Sequence, residues 1–311
     1  MSIRSDDMTD SPIDRPAAAP APMNATRPLY WSVRRELWEN RSIYIAPPIA
    51  AGVVLLGFAI SLFNLPHRAR AMELMSPEKQ AAAFAEPYSF AAAAIVVTAF
   101  IVAVFYCLGA LHGERRDRSV LFWKSLPVSD LTTVISKASI PMLVLPAVSF
   151  VTAVALQLIM LLLNTVGRAA NGLSAETLWA HVPLIQMDLV LLYGLVVLAL
   201  WHAPIFGWLL LVSGWAKRTP ILWALLPPLA LCLVEKIAFN TGYLGHLLLY
   251  RLGGAYAEAF DVHPHIKGQG YSIPDLDPVK FLSSPGLWLG LIVAAALFAA
   301  TVWQRRYREP I

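Results

Sequence analysis

Charge is scarce in this 311-residue chain: charged residues make up 14% of it, where soluble domains carry about a quarter. That scarcity, with 58% apolar residues and a positive mean hydropathy, excludes an ordinary soluble domain and points to a polytopic membrane protein. Cysteine is nearly absent. Cys107 and Cys232 each sit inside an apolar run, which argues against a disulfide framework or a thiolate metal site. No glycine is followed by lysine, so there is no G-x-x-x-x-G-K-[ST] phosphate loop. H-E-x-x-H and C-x-x-C are missing too, and a membrane enzyme has no nominee for its nucleophile. Residues 1–27, rich in Pro, Ala, Asp and Ser, lack the apolar core of a signal peptide and read as a disordered cytoplasmic tail.

What the chain does have is long apolar runs. A crossing needs about 20 apolar residues, and six segments qualify: 43–63, 89–111, 139–163, 184–212, 220–234 (continuing toward 239) and 286–303. An even number places both ends on one side. Around the first set of connections (the N-terminal region, 112–138, 213–219 and 304–311) lie sixteen Lys and Arg, against eight in the longer opposite set. The positive-inside rule makes the first set cytoplasmic. The net charge of +4 is therefore read as a topology signal, with no nucleic-acid partner. The expected fold is an all-α integral membrane protein with six transmembrane helices and cytoplasmic termini. Residues 28–42 alternate aromatic and charged groups, as an interfacial helix does, or an extension of the first crossing.

The 112–138 loop is charged at its start, Glu114, Arg115, Arg116, Asp117 and Arg118, and aromatic at Phe122 and Trp123. A short helix fits before Leu126-Pro127 breaks it, and Ser129 with Asp130 then offers a cap for the next helix. Two meanings are open. One is a solvated loop that carries topology charge; the other is a docking element, with charges for complementarity and aromatics for anchoring.

The run "ERRDRSVLFWKSLPVSDLTTVISK" (114–137), the long fourth crossing "WHAPIFGWLLLVSGWAKRTP" (201–220) and the large segment between crossings five and six resemble permease subunits of type-2 ATP-binding-cassette (ABC) exporters. That resemblance covers about 30–308. It implies that the 115–123 region is a coupling helix seated on a separate, dimeric cytoplasmic ATPase, and that Glu114 to Arg118, Phe122 and Trp123 couple the two. It also implies a second permease copy or sister subunit, residence in the bacterial inner membrane, no cofactor on this chain, and ATP and Mg held by the ATPase.

Ionisable groups inside crossings are the usual pointers to transport chemistry. Asp188 lies near the outer end of the fourth crossing, and Glu235 and Lys236 end the fifth. They read either as a neutralised Asp188–Lys236 pair or as lining for a polar or cationic cargo. His202, in the inner half of the fourth crossing, reads as packing residue or ligand. Prolines 47, 48, 141, 146, 204, 227 and 228 are expected to kink the crossings that hold them, while Gly109/Gly113 and Gly286/Gly290 are spaced for close helix approach. The 236–285 segment is long, and its apolar half is expected to dip partway into the membrane from outside. His263, His265 and Asp261 lack a fourth metal ligand. An ion-gradient-driven secondary transporter remains an alternative, although no internal repeat is visible. So does a non-transporting membrane enzyme or receptor subunit. The cargo, the direction of transport and the choice between homodimer and heterodimer are not legible.

Overall fold

The computed structural model describes residues 26–116, 128–261 and 273–307, and all regular structure in them is helical apart from one isolated bridge, Phe260 to Leu276. Helix α1 spans Thr26–Glu39, α2 Ser42–Ser61, α3 Leu65–Glu73, α4 Pro77–Ala110 and α5 His112–Arg116. After the undescribed 117–127 come α6 Asp130–Ser139, a π-helical turn Ile140–Val144, and α7 Leu145–Ala170. Then follow α8 Glu176–His181, α9 Leu184–Trp215, α10 Pro220–Phe239, α11 Tyr243–Gly253, α12 Ala255–Ala259, α13 Pro278–Ser283 and α14 Pro285–Tyr307.

Among the described residues, six helical stretches are long and apolar enough to cross a membrane: Ser42–Met72, Pro77–Arg116, Asp130–Ala170, Glu176–Trp215, Pro220–Phe239 and Pro285–Tyr307. These are the six expected from the sequence, with longer ends. The second starts twelve residues early because Ser76 is extended and Pro77 occupies the first turn, where its missing N–H costs nothing. The third is not one smooth helix. Pro141 lies in the π-helical turn and Pro146 just beyond it, and the register shift there opens space against α9.

The rods are unequal. At 1.5 Å per residue, the 34 residues of α4 run about 50 Å, while the 20 of α10 and 23 of α14 run about 30–35 Å. Helices α9 and α14 run side by side in the same direction. A Cβ on Gly207 would lie 3.1 Å from that of Leu297, and one on Gly214 would meet Gln304, so these two glycines set how closely the pair approaches. The far half of α9 extends past the start of α14, and α11 to α13 cover it. Val197 and Trp201 of α9, Ala255, Ala259 and Phe260, Phe281 of α13 and Leu287 of α14 form one buried cluster there. The segment expected to dip thus packs beside the middle of α9 and not beyond its tip.

Candidate functional site

The end of the bundle that gathers α1, α5, the start of α6 and the end of α14 is closed by charge. Glu36 of α1, fully buried, accepts from the Nζ of Lys137 at 2.8 Å, from Arg35 at 2.9 Å and from the Tyr106 hydroxyl at 2.8 Å. Glu114 of α5 accepts from Arg35 at 2.9 Å and from Arg305 at 2.8 Å, and lies 3.0 Å from Lys137 Nζ. Arg305 also reaches Asp130 at 2.9 Å. Burial works against the charge of Arg35, but Glu36 and Glu114 outweigh it and hold the guanidinium above its ordinary range. One carboxylate on α5 therefore ties together α1, α6 and α14.

Short α5 is pinned on its other side as well. The Ser213 hydroxyl of α9 accepts from the backbone N–H groups of Leu111 and His112 at 3.0 and 2.9 Å and donates to Leu108 O at 2.8 Å, satisfying the backbone where α4 breaks. The His112 ring bonds Ala216 O, and Arg115 donates to Gly214 O. Ser129 caps α6 by accepting from Thr132 N–H at 3.1 Å, as its sequence predicts.

Glu114 points into the bundle. The carboxylate is 7% exposed and committed to cations of its own chain, because an unpaired buried carboxylate would be too costly. Arg115 is likewise engaged with α9, and Arg116 is exposed to solvent at the end of α5. Asp117, Arg118, Phe122 and Trp123 fall outside the described residues.

At the far end, Lys280 lies 3.9 Å from Asp261, but Glu235 and Arg251 are answered mainly by backbone groups. The Glu235 carboxylate accepts from Tyr243 N–H, Leu244 N–H and the Thr241 hydroxyl at 2.7–2.8 Å, anchoring the start of α11. No ion pair joins Asp188 to the exposed Lys236, which corrects that pairing. One Asp188 oxygen is buried without a hydrogen-bond partner among the described residues. His202 is 4% exposed, with Nδ1 2.9 Å from Leu198 O and Nε2 3.3 Å from Leu252 O. It sews α9 to α11 just past the midpoint of α9, on the half that leads to α5. Asp188 and His202, fourteen residues apart on one helix, are about 21 Å apart along its axis. The structure therefore does not assemble the four far-end candidates into one site.

Sequence reading missed the most constrained far-end residue, Arg251. Its guanidinium lies 4.4 Å from the Trp201 ring centre and donates to Gly286 O at 2.8 Å, while Trp201 Nε1 donates to Arg251 O. A Cβ on Gly290 would fall 1.9 Å from Arg251 Nη2, and one on Gly286 would crowd Tyr250 and Trp201. Gly290 thus makes room for a side chain of the cover, and Gly286 for Tyr250 of the cover and the Trp201 ring of α9. Gly109 and Gly113 face open space.

Two apolar clefts flank α9. One, of about 750 Å³, lies between α6/α7, α9 and α14 and is almost wholly apolar, from Leu131 to Val302. The other, of about 560 Å³, lies between α4, α7, α9 and the α11–α12 cover, and includes Gln157 and His202. A narrow space beside Pro141 and Pro146 lies between them. Among the described residues no three His, Cys, Asp or Glu cluster to hold a metal; His263 and His265 lie outside those residues. Comparison with family models, with characterised proteins and with solved structures finds no match.

Proposed function

We propose that this chain is the permease subunit of an ATP-driven exporter of the type-2 ABC class, set in a bacterial inner membrane with its termini in the cytoplasm. The observation that supports this best is the wiring of α5. A five-residue helix at the turn between the second and third long helices is joined by Glu114 to α1, α6 and α14, and by His112 and Arg115 to the end of α9. Force applied to the 112–116 turn would reach four other helices through charge pairs and hydrogen bonds that hold one geometry. A rigid handle of this kind suits a subunit that converts motion of a docked partner into tilting of a bundle.

With no phosphate loop of its own, the chain would take its energy from a separate ATPase that binds ATP and Mg. Arg116 and the neighbouring charges of the loop would face that subunit, while Glu114 transmits the push inward. A second permease copy or sister subunit would complete the transport path. Arg116→Cys, in a chain whose own cysteines are replaced by alanine, tests this reading. A membrane-impermeant maleimide should label it from the cytoplasmic side only, and a short crosslinker there should capture an ATP-hydrolysing protein. Labelling from the opposite side would refute the proposal.

A further inference from the structure

The cleft between α4, α7, α9 and the α11–α12 cover contains a polar atom that packing does not explain. Gln157, near the middle of α7, is 2% exposed and lines the cleft. Its amide nitrogen donates to Tyr88 O at 3.3 Å, but its Oε1 has no hydrogen-bond partner among the described residues. A buried amide oxygen without a donor gives up hydration and gains nothing in return, a cost that leucine at this position would avoid.

The cleft that Gln157 lines has low walls. Ala92, Ala93 and Gly194 keep two walls low, and the rings of Phe100, Tyr256 and Phe260 contribute to the others. Helix packing does not demand the glycine. A Cβ at 194 would touch the Tyr256 ring at 3.9 Å, an ordinary contact, so its absence serves cleft volume. The volume of about 560 Å³ lies within the range of small-molecule sites. No Asp, Glu, Lys or Arg lines the cleft, so a charged ligand would find no counter-ion. The His202 ring lies between two backbone carbonyls of the scaffold, Leu198 O and Leu252 O, so its N–H is directed at the protein and not into the cleft.

We propose that this cleft, within a single copy of the chain, binds a neutral, mainly apolar and aromatic small molecule whose one N–H or O–H donates to Gln157 Oε1. The site requires neither α5 nor any partner, so it stands or falls independently of the ATPase reading. Two probes with the same ring system test it: 1-naphthol, which has a donor, and 1-methoxynaphthalene, which has none. With purified full-length chain in lipid nanodiscs, tritiated 1-naphthol should bind saturably above empty discs. Unlabelled 1-naphthol should compete about fivefold better than its methyl ether, the range expected of one net hydrogen bond. Gln157→Leu should retain the wild-type melting temperature and competition by the ether, and lose the preference for the alcohol. Gly194→Leu, which fills the cleft, should weaken both probes. Non-saturable binding, equal competition in the wild type, a preference that survives Gln157→Leu, or undiminished binding in Gly194→Leu would each overturn the proposal.

Discussion

The two ends of this bundle handle charge in opposite ways. At the end holding α1 and α5, Glu36, Glu114, Lys137 and Arg305 neutralise one another across four helices. At the far end, Arg251 and Glu235 stand alone, one answered by backbone carbonyls, the other by backbone amides and a hydroxyl. Side-chain pairing links elements distant in sequence and makes each charge depend on the others. Backbone pairing holds one charge locally and leaves no ion behind if that charge is removed. The first suits a region where force must pass between helices; the second suits a cover fixed over the flank of α9.

If that contrast is right, the largest loss should come from breaking the charged end. Lys137→Met would leave Glu36 and Glu114, both buried, short of a cation, and should cost about 3–5 kcal/mol of stability in thermal unfolding of the detergent-solubilised protein. Arg251→Leu removes donors from carbonyls but strands no charge, so about 1–3 kcal/mol is expected, with faster hydrogen exchange confined to α11 and its neighbours. A comparable loss in the two variants would erase the distinction. Gly290→Ala should cost about 1–2 kcal/mol by displacing the Arg251 guanidinium, and much less in an Arg251→Leu background; a double-mutant cycle reads that coupling directly. The smallest effect should be Ser129→Ala, about 1 kcal/mol for one lost cap at the start of α6.

The six long helices were legible because apolar length is a local property. The cap at Ser129 was equally local, whereas prolines marked four crossings for irregularity and only Pro141 falls in a π-helical turn; Pro47, Pro48, Pro204, Pro227 and Pro228 lie within continuous α-helices. The network was not legible. Glu36 and Glu114 are 78 positions apart, and Arg305 lies 191 beyond Glu114; each looks like a topology charge in its own neighbourhood. Glu114 was therefore grouped with Arg115 and Arg116 as one charged docking run, although the turn at Leu111 aims it into the bundle. At the far end, a Gly-xxx-Gly pair signals close approach but not of what. Only the fold reveals that a side chain of α11 fills the space. Gln157 left a faint trace, as a lone amide in an apolar run, and sequence alone gives no reason to choose it over a satisfied packing residue.

The central claim is that the charged end is where an ATP-hydrolysing subunit drives this chain. The most direct measurement is the composition and ATPase activity of the assembly purified in mild detergent from its native membrane by a tag on this chain. The account predicts a second polypeptide that hydrolyses ATP, retained by the wild type and lost on Arg116→Glu while the variant stays in the membrane at normal abundance. Purification of the wild-type chain without such a subunit, and without ATP hydrolysis, would contradict it.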